Sequence, residues 1–217
     1  MAGDAGSDNS AGRIRVIVAD DHPVVRAGLS AVLVQQGDLE LVAEAENGAR
    51  AIALYREHRP HVCLMDLRMP VIDGVEAIRT ITAEFPAARI LALTTYEGDA
   101  DIRRALEAGA RGYLLKDMLL TDVIGAVRAV HRGERVIPAA VATRLAEFPE
   151  RSDLTERELE VLQLVARGLS NKEVARAIGR TGETVKIHLK NTFAKLGVAD
   201  RTEAVTVALT RGLIHLD

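Results

Sequence analysis

The feature that most constrains this 217-residue chain is a rhythm in its first 130 residues. Five short apolar runs, RVIVA (15–19), LELVAEA (39–45), HVCLM (61–65), RILAL (89–93) and GYLLK (112–116), alternate with amphipathic stretches. Those stretches are Pro23–Gln36, Ala49–His58, Val75–Glu84, Ala100–Ala108 and Leu119–His131. A strand followed by a helix, five times over, predicts a parallel sheet, because parallel neighbours need a crossover and the helix is that crossover. The fold class of this part is therefore α/β, a five-stranded doubly wound parallel sheet with helices on both faces. LELVAEA alternates polar and apolar residues more than the other runs, which predicts an edge strand with one wetter face. Pro23 suits a first helical position, Gly109 a helix stop, and Gly74 and Gly98 mark loops.

The rhythm breaks in HRGERVIPAAVATRLAEFPERS, where Gly133, Pro138 and Pro149 leave room for a short helix at most. From Thr155 onward the pattern is purely helical. TERELEVLQLVARG and SNKEVARAIG both open with capping-box spacing, Thr155 with Glu158 and Ser170 with Glu173. TGETVKIHLKNTFAKLG and DRTEAVTVALTRG follow. Four helices in about 60 residues, with a short turn before the third, predict an all-α four-helix helix-turn-helix domain. The expected organisation is a tail over residues 1–12, a first domain over 13–131, a linker over 132–152 and the helical domain over 153–217.

Composition narrows the classes. Hydrophobic residues make up 48%, aromatics only 3%, and Trp is absent, so the cores rest on Val, Ile, Leu and Ala. The polar, acidic MAGDAGSDNSAG lacks the basic and apolar regions of a secretory signal and reads as disordered. No run approaches the roughly 18 apolar residues of a membrane span. The single Cys63, inside an apolar run, predicts an inert thiol and a reducing, cytoplasmic setting without a membrane partner. Residues 1–152 carry 18 basic and 22 acidic side chains, net −4, whereas Arg167–Arg211 carries nine basic against four acidic, net +5. A basic region on a mildly acidic protein points to an anionic partner.

Ligands of open α/β sheets bind beyond the carboxyl ends of the strands. Those ends here offer Asp20 and Asp21, then Asp66, then Thr94 and Thr95, then Lys116. Neighbouring strands lie about 4.8 Å apart, so these groups converge. Three carboxylates together need a cation. Hard oxygen donors without a His or Cys cluster favour Mg²⁺ over zinc. A carboxylate, a hard cation, a hydroxyl and a lysine are what phosphoryl transfer onto a carboxylate requires. A metabolic enzyme acting on a small phosphorylated ligand is the competing class, but the chain has no Gly-rich phosphate loop. A domain that binds DNA without being phosphorylated is a third reading.

In the third helix of the tail, at about 100° per residue, Val185, Leu189, Phe193 and Leu196 form one apolar stripe. Lys186, Lys190 and Ile187 fall at about 0°, 40° and 100° from Lys186, off that stripe. Lysines can reach guanine acceptors or phosphates, and an exposed isoleucine can touch a thymine methyl in the major groove.

VADDHPVVRAGL, MDLRMPVIDGVEAI, LTTYEGDADIRRALEAGARGYLLKD and LTERELEVLQLVARGLSNKEVARAIG with TVKIHLKNTFAKLGVADRTEAV resemble a two-component response regulator of the NarL/FixJ class, over about residues 13–217. That class joins a flavodoxin-like receiver to a LuxR-type helix-turn-helix and is not an enzyme in the ordinary sense. The resemblance implies Asp66 as phosphoacceptor for a histidine kinase. It implies Mg²⁺ on Asp21, Asp66 and the backbone carbonyl of Arg68, with Asp20 helping through water. Lys116 would hold the phosphoryl oxygens, and Thr94 and Tyr113 would form the switch pair. On double-stranded DNA it implies base contacts from Lys186, Ile187 and Lys190, and phosphate contacts among Thr181, Thr184, His188 and Asn191. The last helix would carry the homodimer contact, through exposed small residues such as Ala204 and Thr206. Many receivers follow this lysine with a proline in a cis bond; this chain has Asp117.

Overall fold

A computed structural model describes residues 12–95, 98–116, 120–147 and 154–216. The predicted tail, apart from its last residue, and Asp117 lie outside the described residues. Contacts divide the chain into two compact units. Residues up to Thr95 with Arg104–Pro138 form one, and the segment ending at Arg103 with everything from Ala139 forms the other.

The first unit is built on β1 (Ile14–Ala19), β2 (Leu39–Ala45), β3 (Val62–Asp66), β4 (Ile90–Thr94) and β5 (Gly112–Leu115). All pair in parallel, in the order β2-β1-β3-β4-β5. The crossovers are α1 (Pro23–Val34), α2 (Gly48–His58), α3 (Gly74–Glu84) and α4 (Asp99–Glu107), and α5 (Leu120–His131) follows β5. Strands β3, β4 and β5 are buried at every residue, while β2 is buried only at its two ends, as its position at the sheet edge requires. Apolar contacts from Val16, Val18, Leu64, Leu91, Leu93 and Leu114 meet Leu29 and Leu33 of α1 and Val123, Val127 and Val130 of α5. Gly74 opens α3 rather than marking a loop. A Cβ there would sit 1.9 Å from the Asp66 carbonyl oxygen, so only glycine lets the helix start this close to the end of β3.

The stretch after α5 is more ordered than its composition suggests. Val136 bridges Gly112 in parallel, the Tyr113 N–H donates to the Val136 carbonyl at 2.9 Å, and the Val136 N–H donates to the Arg111 carbonyl at 3.2 Å. One rung of a sixth strand thus covers the β5 edge. Pro138 has no N–H to donate at the next rung, which limits the pairing. A Cβ on Gly112 would lie 2.7 Å from the Val136 carbonyl oxygen and 2.6 Å from Leu91 Cδ2.

The second unit holds α6 (Ala139–Glu147), α7 (Glu156–Ala166), α8 (Asn171–Ala177), α9 (Gly182–Leu196) and α10 (Arg201–Thr210). Both capping boxes form, at Thr155 with Glu158 and at Ser170 with Glu173. Val161 and Val165 of α7, Val174 of α8 and Val185 and Leu189 of α9 make one core cluster. Leu162, Ala204, Ala208 and Ile214 make a second. Ala204 is therefore buried, against the expectation that α10 exposes it, whereas Thr206 is exposed. Alanines four apart face α7, and Thr202, Thr206 and Thr210 take the opposite side.

Candidate functional site

Local chemistry shapes the turn after β1. The Asp20 carboxylate Oδ1 accepts from the backbone N–H of His22 at 2.9 Å, and Pro23 starts α1 where a missing N–H does no harm. Asp20 is fully buried, and Asp21 is about one-third exposed. Asp66 is the last residue of β3 and Thr94 the last of β4, each almost fully buried. Lys116 follows the last residue of β5, its side chain 7% exposed.

These groups converge as the strand order requires. Lys116 Nζ lies 2.8 Å from Asp66 Oδ2 and 2.7 Å from Asp20 Oδ2, bridging β1 and β3. The Arg68 N–H donates to Asp66 Oδ1 at 3.2 Å. Asp20, Asp21, His22 and Asp66 each bring one donor atom to a group within 4.8 Å of one another. His22 is the member that sequence reasoning missed. Its Nδ1 sits 2.7 Å from Asp21 Oδ1 and 3.3 Å from Asp20 Oδ1 on a largely exposed ring, so an imidazole does border the carboxylates. Its only signal was adjacency to the acid pair.

Burial pushes the Asp66 carboxyl up to about 6, with Asp20 adding to the rise, although the Lys116 ammonium and the Arg68 N–H pull the other way. Three carboxylates face one ammonium here, a local excess of two negative charges that a divalent cation would balance. Asp21 Oδ1 is buried with His22 Nδ1 as its close neighbour at 2.7 Å and makes no aligned hydrogen bond, which leaves a lone pair for such an ion. The Tyr113 ring, on β5, is wholly buried. Thr95, next to Thr94, is exposed.

In the second unit, α9 turns Val185, Leu189 and Thr192 to the core. Lys186, Lys190, Asn191 and Ile187 are exposed, the isoleucine at 55%, and Thr184 and His188 are half-buried. Thr181 is the N-cap, its Oγ1 accepting from the Thr184 N–H at 3.2 Å and lying 3.0 Å from Thr184 Oγ1. Lys186 Nζ pairs with Glu183 at 3.0 Å, a partner that i,i+3 spacing could have revealed. The buried Glu158 carboxylate takes Lys195 Nζ at 2.8 Å, which ties the start of α7 to the end of α9.

A carboxylate freed of water beside a lysine and a cation-binding cluster can take up a phosphoryl group. A helix with exposed lysines and an isoleucine can read a duplex groove. Together they define a phosphorylation-responsive regulator.

Known proteins agree. Residues 16–128 match the response regulator receiver domain, and residues 152–208 match the bacterial regulatory proteins of the luxR family. The response regulator protein VraR of Staphylococcus aureus is 42% identical over 207 residues, covering 93% of this chain and 99% of VraR. The transcriptional regulatory protein LnrK of Bacillus subtilis is 39% identical over 216 residues, covering 92% and 98%. The solved complex of the response regulator RcsB with DNA is 30% identical, covers 91% of this chain and 98% of RcsB, and superposes with a TM-score of 0.65. The chain belongs to the NarL/FixJ-class response regulators, phosphorylation-controlled DNA-binding regulators that join a receiver domain to a LuxR-type helix-turn-helix. Its receiver is a phosphoacceptor rather than a metabolic enzyme. Among the described residues no helix is long and apolar enough to cross a membrane.

Proposed function

We propose that Asp66 is the phosphoacceptor of this regulator and that a histidine kinase is its donor. The observation that carries the reading is the Lys116 bridge to Asp66 and Asp20 inside the four-residue donor cluster. A carboxylate oxygen of Asp66 attacks phosphorus, the bond from phosphorus to the donor nitrogen breaks, and the electron pair leaves with the nitrogen. Lys116 neutralises the transferred oxygens. Asp21, Asp66 and the backbone carbonyl of Arg68 would hold Mg²⁺, with Asp20 in a supporting, water-mediated role. Bound Mg²⁺ would supply charge neutralisation at the phosphoryl oxygens. The oxygen-rich donor set fits it, with His22 as the one nitrogen nearby.

Thr94 and Tyr113 form the switch pair, the hydroxyl swinging to the phosphoryl group; the expected inward turn of the ring starts here from a ring that is already buried. The outcome is homodimerisation on double-stranded DNA, exposure of the recognition helix, or both. The solved RcsB dimers on DNA, and Salmonella RcsB on a promoter with a phosphoryl mimic, support this reading by likeness. Lys186, Ile187 and Lys190 contact base edges, and Thr181, Thr184, His188 and Asn191 contact phosphates. Thr181 Oγ1 accepts the Thr184 N–H and shares a hydrogen bond with Thr184 Oγ1, so one of the two hydroxyls has a hydrogen left to donate to a phosphate. The receiver domain spans 13–131, the helix-turn-helix domain spans 153–217, and the protein works in the cytoplasm. Incubation with Mg²⁺ and acetyl phosphate tests the core of the proposal. Hydroxylamine-labile phosphate should form on the wild-type chain and vanish in Asp66→Asn; label that persists in the variant refutes it.

A further inference from the structure

Arg26, on the second turn of α1, makes two contacts that nothing in the phosphoryl-transfer scheme uses. Its Nη1 donates to the backbone carbonyl of Asp20 at 2.6 Å, and its Nε lies 3.3 Å from Glu44 Oε2 on β2. The side chain is 19% exposed, so the pair is partly shielded from water. Sheet geometry explains the arrangement. The Asp20 N–H makes the last rung to β2, donating to the Ala45 carbonyl at 3.0 Å. In a parallel ladder the Asp20 carbonyl would next accept from residue 47. Asn47 leaves the strand there and becomes the N-cap of α2, its side chain accepting the Arg50 N–H. The Arg26 guanidinium takes the place of the missing rung, and Glu44, on the same strand, anchors it.

We infer that Arg26 is a positioning residue for the acid site, a fork that fixes the Asp20 backbone and so aims the Asp20 and Asp21 carboxylates. The inference rests on the proposed metal reading of those carboxylates. Without the fork, the Asp20 carbonyl loses its guanidinium partner, and the turn is held by the Asp20 N–H rung to Ala45, the bond from the His22 N–H to Asp20 Oδ1 and the Lys116 contact to Asp20 Oδ2. Both carboxylates hang from that turn, so a loose carbonyl at Asp20 costs both their aim.

The sign of the effect separates aim from charge. A guanidinium beside a cation site repels the cation, so Coulomb's law alone makes Arg26→Gln bind metal more tightly. Positioning makes it bind more weakly, by about tenfold, the lower end of what loss of a supporting partner costs a metal site. The experiment titrates Mn²⁺ into the full-length wild type, Arg26→Gln, Arg26→Lys and Glu44→Gln, reading free Mn²⁺ by electron paramagnetic resonance. Asp21→Ala serves as the baseline, and thermal melts confirm folding. Arg26→Gln should weaken binding about tenfold. Arg26→Lys should also weaken it, because an ammonium keeps the charge and lacks the fork. Glu44→Gln should weaken it less. If Arg26→Gln does not fold, Arg26→Lys, which keeps the charge, carries the decision, because Glu44→Gln also removes a negative charge and weakens binding by Coulomb's law alone. Equal or tighter binding by the folded variants overturns the inference alone. Absence of Mn²⁺ binding by the wild-type chain overturns the metal reading and the inference with it.

Discussion

Replacing Asp66 with asparagine should make the metal-free receiver more stable. Burial raises this carboxyl from its ordinary 3.8 to about 6. At 1.36 kcal/mol per unit, keeping it ionised inside the folded domain costs about 3 kcal/mol. Asparagine keeps the shape and removes that cost. Lys116 loses one partner but retains Asp20 Oδ2 at 2.7 Å, so the ammonium is not stranded. The net gain should be about 1–3 kcal/mol at pH 7.5, or about 4–12 °C in the receiver's melting transition. The sign with pH is fixed. A raised folded value means the folded chain holds a proton that the unfolded chain has released between pH 3.8 and about 6. Stability of the wild type therefore falls as pH rises through that window, and the full cost is present above it. The advantage of Asp66→Asn should shrink as pH falls below about 6 and be gone below 3.8. Mg²⁺ acts on the other side: at 100 times its Kd it should stabilise the wild type by about 2.7 kcal/mol and the variant by less. Calorimetry at pH 7.5 and pH 4, with and without Mg²⁺, reads all three effects. A variant no more stable than wild type at pH 7.5, or a gain that persists unchanged at pH 4, would refute the electrostatic account of this site.

Four more outcomes are expected. Asp21→Ala should weaken Mg²⁺ binding more than Asp20→Ala, and equal losses in a metal titration would end that division of labour. Gly112→Ala places a Cβ 2.7 Å from the Val136 carbonyl oxygen, so it should cost about 1–3 kcal/mol and speed amide exchange at Val136; unchanged exchange counts against the rung. Lys190→Ala removes a base-edge contact, so it should weaken DNA binding by about 1–3 kcal/mol and relax sequence preference at one position, and Ile187→Ser should lose about 1 kcal/mol of preference; unchanged sequence preference in Lys190→Ala would place Lys190 away from base edges. Val71 holds φ 71° at 84% exposure, a left-handed conformation that β-branched residues resist. Val71→Gly should raise stability in urea by about 0.5–1 kcal/mol, and a loss would show that the turn is not strained.

Some of this molecule was legible in its sequence because the signal was local. Each strand run announced itself by period, and LELVAEA by its alternation, so the edge position of β2 followed. The acids were legible because strand ends are where open α/β sheets keep their chemistry. What stayed hidden depends on distance across the fold. Lys116 reaches Asp66 and Asp20 at once only because β5, β3 and β1 end at one level, a matter of register that no single run encodes. The Val136 rung uses backbone N–H and C=O groups, which every residue carries, so only Gly112 hinted at it. Ala204 was misjudged because α10 has no strong apolar stripe to set its phase; Ala208, four residues on, was the available clue. Arg26 reads as an ordinary surface charge on a helix until β1 and β2 are laid side by side.

The same electrostatics that burden the receiver suit it to its work. A cost of about 3 kcal/mol on one carboxyl is a large part of the 5–15 kcal/mol that holds a domain together. An acid merely placed in the sheet would be tuned away from such a cost, by exposure or by a lysine of its own. Asp66 instead shares Lys116 with Asp20, so neither acid is fully neutralised. A nucleophile stripped of water and short of counter-charge gains from anything positive that arrives. Raised to about 6, the carboxyl is mostly ionised at neutral pH. In the proposed scheme, a phosphoryl group on Asp66 gives Lys116 new oxygens to follow, and Asp20 loses its share. Under the proposed phosphorylation of Asp66, the bridge across β1, β3 and β5 is the contact to be rearranged, and the charge left unbalanced in the resting site favours that rearrangement.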